Sequence, residues 1–403
     1  MSDATNGGPV VVRVDAGEGR FHRHGLIKWW DQERLSRSTA LVLGVGALGN
    51  EIVKNLCLLG VGHIRIVDLD VVENSNLSRS PLFRERHEGM PKAFAAAESA
   101  RELYPAAKVA PMRIDIVHGL GWGHYADADI VLAGLDGREA RLSANRACIR
   151  VGKHYFDGAI EGIAGVARAF DGRNGPCYEC TMGERDWELL RHRRSCNMLS
   201  RDEMRSGHTP TVTTISSVIA ALEVQQAVKH LHGLDVQAGT GLSVNGIGFD
   251  AWQVSYTANE ECYAHEPAES LARLPWSAAR TTAAEVIAHA AKSLGDDAHL
   301  EPHLDAHLEL RHDIMTRRSC AACGHVDEPL RPLAKLGKGA ALCAKCGEPA
   351  HFETTNRIER ASPLAARTLA ELGVPAYDAI RLRAGLATFD AILDDDRPND
   401  WIG

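Results

Sequence analysis

Residues 40–79 constrain this chain more than any other stretch. The apolar run 40–43 reads as a buried parallel strand, and Gly44, Gly46 and Gly49 follow in G-x-G-x-x-G spacing. A helical pattern then opens at Ala47, with Ile52, Val53, Leu56 and Leu59 on one face. A second strand over 63–67 ends at Asp68 and Asp70. Glycine at these three places permits a tight turn, close backbone approach to a phosphate, and close packing of helix on strand. The helix start offers unpaired N–H groups and a positive dipole end to an anion. An acid at the end of the second strand suits a ribose hydroxyl. Together these features point to a nucleotide site.

The chain beyond repeats the alternation. A helix is expected over 91–104, with Pro91 near its start, where a missing N–H is tolerated. Strands are expected at 109–114, 130–132 and 154–156, and a helix at 138–151. Strands alternating with helices predict an α/β fold, a doubly wound Rossmann-like and mostly parallel sheet. Residues 163–170 and two runs within 242–256 predict an antiparallel extension. Residues 20–36 are expected to pack Ile27, Trp29, Trp30 and Leu35 as a short helix. Residues 181–211 are rich in charge and read as a long loop. A buried helix follows over 212–231, carrying Ile215, Val218, Ile219, Leu222 and Val228. The expected domains are an N-terminal segment 1–36, a nucleotide domain 37–266 with the crossover loop 181–211, and an accessory domain 277–403 with a helix near 283–294.

Net charge is −8, so overall electrostatics give no support for a nucleic-acid partner. The first ten residues lack a basic segment followed by an apolar core, and no apolar run is long enough to span a bilayer. A soluble, cytoplasmic protein without a membrane partner is expected. Six of the ten cysteines fall in C-x-x-C pairs: Cys177/Cys180, Cys320/Cys323 and Cys343/Cys346. In a cytosolic chain such pairs are more often metal ligands than disulfides. The last two pairs have nineteen residues between them, and Gly324 and Gly347 follow each as knuckle turns require. They predict a zinc ribbon over 318–350 that stabilises a small domain unable to build its own core. His299, His303 and His307 recur every four residues, but Pro302 breaks a helix there, which argues against another metal site. Cys57 and Cys148 sit in helical patterns and read as buried packing residues. Cys196 lies in RHRRSCN beside His192, Arg193 and Arg194, cations that favour the thiolate. It is a candidate nucleophile, with an incidental loop cysteine as the alternative.

From Arg20 to His265 the chain resembles the ubiquitin-activating-enzyme superfamily, including its ThiF/MoeB-type members. DLDVVENSNLSR, from Asp68 to Arg79, matches the D-x-D-x-V-x-x-S-N-L-x-R signature of that family. Gly89 to Lys92 match its G-x-P-K, Asp136 its metal-binding aspartate, RFHRH from Arg20 to His24 its N-terminal R-x-x-R element, and Cys177/Cys180 its first zinc pair. The resemblance implies ATP-dependent adenylation of a protein's C-terminal glycine. It assigns Gly44, Gly46 and Gly49 to backbone approach, Asp68 to the ribose, and Asp70 to the nucleotide and metal region. Asn76, Arg79 and Lys92 would contact phosphates, Asp136 would hold Mg²⁺, and Arg23 would be an arginine finger supplied in trans within a homodimer. The family's second C-x-x-C is replaced here by Cys262 and His265, which still completes a Cys3His zinc set. Cys196 occupies the place of the thioester cysteine of ubiquitin-type members.

The implied partners are a small ubiquitin-like or sulfur-carrier protein ending in glycine and, for a thioester pathway, a separate carrier enzyme. The added ribbon domain suggests a bacterial ubiquitin-like conjugation system, such as those of antiviral defence operons. Two alternatives stay open: a sulfur-carrier adenylyltransferase without a stable thioester, and a non-catalytic binding platform. A nicotinamide dehydrogenase fits least, since Arg79, Lys92 and Asp136 have no role there.

Overall fold

The computed structural model describes residues 19–195, 210–295, 306–336, 340–385 and 387–399. After α1 (Gln32–Arg37) the chain alternates β1 (Thr39–Leu43), α2 (Ala47–Leu59), β2 (His63–Val67), α3 (Lys92–Leu103), β3 (Lys108–Met112), α4 (Gly123–Ala126), β4 (Ile130–Ala133), α5 (Arg138–Val151) and β5 (Tyr155–Glu161). β6 (Ala164–Phe170), α6 (Glu184–Ser195), α7 (Thr213–Leu231), β7 (Thr240–Asn245) and β8 (Asp250–Ser255) complete the first unit. Its eight strands run in the order β3-β2-β1-β4-β5-β6-β7-β8. The first five are mutually parallel and the last three antiparallel. This is the expected doubly wound sheet with an antiparallel extension.

The sheet is covered on both faces because its central strands are apolar on both sides. Val42, Ile64, Ile66 and Leu132 pack under α2, α3 and α7, while Leu41, Leu43, Val67 and Val131 pack under α4, α5 and α6. Such double burial suits parallel strands, whose crossovers place helices on both faces. α2 contributes Leu48, Ile52, Val53 and Leu56, and Cys57 is fully buried with its thiol pushed up to about 12 by desolvation. Cys148 is buried likewise.

Three expectations need correction. The 181–211 stretch is not all loop, because α6 occupies Glu184–Ser195. Its apolar stripe is only Trp187 and Leu190, three residues apart, so charge masks it; Leu190 is buried, and Arg138 of α5 pairs with Asp186 at 2.8 Å. In the 20–36 segment only Leu35 is buried; Ile27 and Trp29 are exposed, and helix is confined to a single turn at His24–Leu26 and to α1. The C-terminal unit has its own core.

That unit comprises β9 (Leu271–Leu274), α8 (Ala283–Gly295), β10 (His307–Ser319), β11 (Val326–Asp327), β12 (Arg331–Pro332), α9 (Leu333–Leu336), β13 (His351–Glu359), β14 (Ala379–Ala384) and β15 (Ala387–Leu393). They form a seven-stranded sheet, in which β10 pairs with β13 and β14, and β9 joins β15 in parallel. The sheet therefore begins at Leu271, ahead of the expected boundary at 277. Val286, Ile287 and Ala290 of α8 pack on Leu308, Leu310, Leu382 and Leu393. The two sheets meet at Trp122, whose backbone N–H donates to Asp378 at 2.8 Å and whose ring lies 4.6 Å from the Arg311 guanidinium. His299 and His303 lie outside the described residues; His307 opens β10. No helix among the described residues is long and apolar enough to cross a membrane.

Candidate nucleotide crevice and metal centres

The strand order reverses at β1 and β4, and open α/β sheets bind ligands at the carboxyl ends of strands at such a switch point. Gly44 leaves β1 there and Gly134 leaves β4. Gly44 sits at φ +79°, and a Cβ on it would come within 2.8 Å of the Gly134 carbonyl oxygen. A Cβ on Gly49 would collide with the Gly44 carbonyl, so this glycine lets α2 press on the turn. A Cβ on Gly46 would meet nothing within 4 Å, which leaves this backbone facing open space at the start of α2. One glycine thus turns, one approaches and one packs.

The polar residues around the turn divide by task. Asp68 is 8% exposed and accepts from the N–H of Val45 and of Asp70, each at 2.8 Å. Burial pushes its carboxyl up, while Lys92 and the two N–H donors pull it back. Asn76 is also buried and accepts from the Glu73 N–H at 3.0 Å, closing the turn that carries Arg79. Both residues are engaged with the chain itself and build the frame of the crevice. Asp70 and Lys92 pair at 3.2 Å, because the backbone of Lys92 also donates to the Asp70 carbonyl at 2.8 Å. The G-x-P-K element is thereby stitched onto the end of β2. Arg79 donates to the Ser75 carbonyl at 2.7 Å. Asp136 is exposed two residues beyond Gly134.

Two further residues carry no motif and were missed from the sequence. Asn50 is fully buried and hydrogen-bonded to the glycine turn. Glu223 of α7 is fully buried and accepts from the Ala133 N–H at 3.1 Å, with desolvation holding its carboxyl well above the usual range. A polar residue within an otherwise apolar helical stripe is the only signal either one gives.

One expected site residue is not in this crevice. Arg23 is exposed beside Phe21, which lies against Gly60 at the far end of α2. Thirteen residues at 1.5 Å rise put that end about 20 Å from the glycine turn. Cys196 lies outside the described residues.

The cysteine sets assemble as two clusters, Cys177/Cys180/Cys262/His265 and Cys320/Cys323/Cys343/Cys346. In the first, Cys177 Sγ lies 3.7 Å from Cys180 Sγ and 3.8 Å from Cys262 Sγ, and Cys180 Sγ lies 3.4 Å from His265 Nε2. In the second, Cys320–Cys346 and Cys323–Cys343 are each 3.6 Å apart. A tetrahedron of zinc–sulfur bonds near 2.3 Å has edges of about 3.8 Å, whereas a disulfide needs about 2.05 Å. Both donor sets therefore fit zinc. Gly324 and Gly347, at φ +68° and +76°, donate to the Cys320 and Cys343 carbonyls at 3.0 Å and form two matching knuckles.

The ThiF family profile matches residues 21–264. A Thermus thermophilus sulfur carrier protein adenylyltransferase is 31% identical over 169 residues, covering 40% of this chain and 62% of that protein. The maize adenylyltransferase and sulfurtransferase MOCS3-1 is 32% identical over 40% of this chain and 35% of its own length. The human ubiquitin-like modifier-activating enzyme 7 is 36% identical over 34% of this chain and 15% of its own. The match thus spans less than two thirds of each relative. The crystal structure of E. coli MccB with ATP aligns with TM-score 0.52 and 19% identity over 62% of this chain and 75% of that one, a likeness of fold.

Proposed function

The chain belongs to the ThiF family, and from that premise we propose that it uses ATP to adenylate the C-terminal glycine of a small ubiquitin-like or sulfur-carrier protein. A carboxylate oxygen attacks the α-phosphorus, the bond to the bridging oxygen breaks, and pyrophosphate leaves as the acyl-adenylate forms. The carboxylate is ionised at neutral pH, so no general base is required. The demands are in-line positioning and neutralisation of phosphate charge. The observation that carries this reading is Lys92, a cation 14% exposed and held 3.2 Å from Asp70 at the rim of the glycine turn. A triphosphate carries more negative charge for such a cation to neutralise than the diphosphate bridge of a nicotinamide dinucleotide does. Gly46 and the first turn of α2 receive phosphate, while Asp68 and Asn76 hold the frame. Arg79 and Lys92 face the developing charge. Asp136 would hold Mg²⁺, which shields phosphate oxygens when bound.

Arg23 stands too far from its own crevice to touch phosphate, which favours its supply by a second copy in a homodimer. The acyl group then passes to Cys196: the thiolate attacks the acyl carbon, AMP leaves, and a thioester forms for transfer to a carrier enzyme. Zinc held by either cluster would be structural, since four protein ligands would leave no open position. Pyrophosphate release that depends on the glycine-terminated partner tests adenylation. A reductant-sensitive adduct lost in Cys196→Ala tests the thioester. The likeness to the Thermus sulfur carrier protein adenylyltransferase supports the second reading, adenylation without a thioester, in which Cys196→Ala leaves the products unchanged.

A further inference from the structure

Asn50 stands in the first turn of α2, fully buried. Its Nδ2 donates to the Val45 carbonyl at 2.6 Å and to the Gly46 carbonyl at 3.1 Å. Its Oδ1 accepts from the Leu82 N–H at 3.0 Å. The Leu82 carbonyl in turn accepts from Ser99 Oγ of α3 at 2.6 Å. The amide therefore ties the glycine turn to the segment that carries Arg79, and Ser99 carries the tie on to the helix that opens at Lys92. The amide orientation is fixed by these partners, because two carbonyls require a donor and an N–H requires an acceptor. No other side chain of uncharged, unbranched shape supplies both at this length.

We propose that Asn50 is a positioning residue that sets the spacing between the glycine turn and the two cationic segments, so that one ligand can span both. This rests on the adenylation reading, in which the polyphosphate of ATP extends from the turn to Arg79 and Lys92. Its consequence is selective. A ligand that touches only the turn, such as AMP, feels the loss of Asn50 little. ATP, which bridges turn and cations, feels it strongly.

The test is calorimetric titration of the full-length protein with ATP and, separately, with AMP, both with Mg²⁺, for wild type, Asn50→Asp and Asn50→Ala. Asp has the same shape and sets a carboxylate against two carbonyls; Ala removes the link without adding charge, and serves if the Asp variant fails to fold. The ATP Kd is expected to rise about tenfold or more in either variant, and the AMP Kd less than about threefold. Equal losses for ATP and AMP overturn the proposal, since they mean only a collapsed turn. Unchanged ATP affinity in a folded variant overturns it as well. Wild-type protein that binds no ATP overturns the adenylation reading and this proposal together, whereas wild-type binding with unaffected variants sinks this one alone.

Discussion

The two four-ligand clusters share a chemistry and differ in what they hold. Cys177 and Cys262 meet across 85 residues of sequence, packed with Ile149 and Ala264 against α5. Around them the Tyr178 N–H donates to Asn145, and Arg146 grips Glu179 with two bonds of 2.8 and 3.0 Å. Glu266, next to the ligand His265, receives Arg381 and Arg383 of the second sheet, each at 2.9 Å. The first cluster thus fixes the approach to α6 and the junction of the two sheets. The second closes only 26 residues at the tip of the β10–β13 ribbon, with Cys323 and Cys346 exposed. Loop-closure entropy grows slowly with length, so the contrast comes less from loop size than from the structure each cluster organises.

Breaking each cluster separates them. Cys262→Ser is expected to lower bound zinc from two per chain to one, to destabilise the fold by about 3 kcal/mol or more, and to expose 257–270 to protease. The checks are metal content, denaturant melting and limited proteolysis. A larger loss from the tip cluster would reverse the comparison.

The interior beneath α7 offers the next largest effect. Desolvation raises the proton affinity of Glu223 in the folded state, while in the unfolded chain it releases its proton in the usual carboxylate range. The folded state then binds more protons, so stability falls as pH rises from about 4.3 toward the raised folded value, by up to about 1.4 kcal/mol per pH unit. Glu223→Gln removes that slope. Its melting temperature should exceed wild type by more at pH 8 than at pH 5, and converge with it near pH 4. A parallel pair of curves would mean that Glu223 is ionised in the fold.

Cys343→Ser is expected to cost only the second zinc and local protection at the tip, with overall stability changed by about 1 kcal/mol. Hydrogen exchange localised to 320–352 checks this. The smallest effect is at the tether of α6. The Arg138–Asp186 pair is 43% and 30% exposed, so Asp186→Asn should cost about 0.5 kcal/mol or less. A loss of more than about 2 kcal/mol would give α6 the weight assigned here to the first cluster.

Much of this was legible in the sequence because its signals are periodic or strictly spaced. The glycine turn, the alternation of strand and helix, and the paired C-x-x-C of the tip cluster required no distant information, whereas the resemblance was needed to join Cys262 and His265 to Cys177 and Cys180. α6 was hidden because two apolar residues, Trp187 and Leu190, suffice to anchor it among charges. The second sheet was hidden for a similar reason. β14 alternates Ile380 and Leu382 with Arg381 and Arg383, and Arg381 is buried only because Asp390 and Glu266 neutralise it. Buried charge is invisible until the partner is known. Asn50 and Glu223 likewise take their meaning from N–H groups far along the chain, those of Leu82 and Ala133.

The central claim is that this crevice activates a carboxylate at the expense of ATP. It is tested most directly by incubating the full-length protein with ATP, Mg²⁺ and a small partner protein ending in glycine, then weighing both proteins intact and assaying pyrophosphate. The account predicts pyrophosphate only when the partner is present, a partner mass raised by one AMP or, after transfer to Cys196, joined to this chain with AMP lost, and loss of both signals in Lys92→Ala. A partner that binds while ATP stays whole, with both masses unchanged, would contradict it.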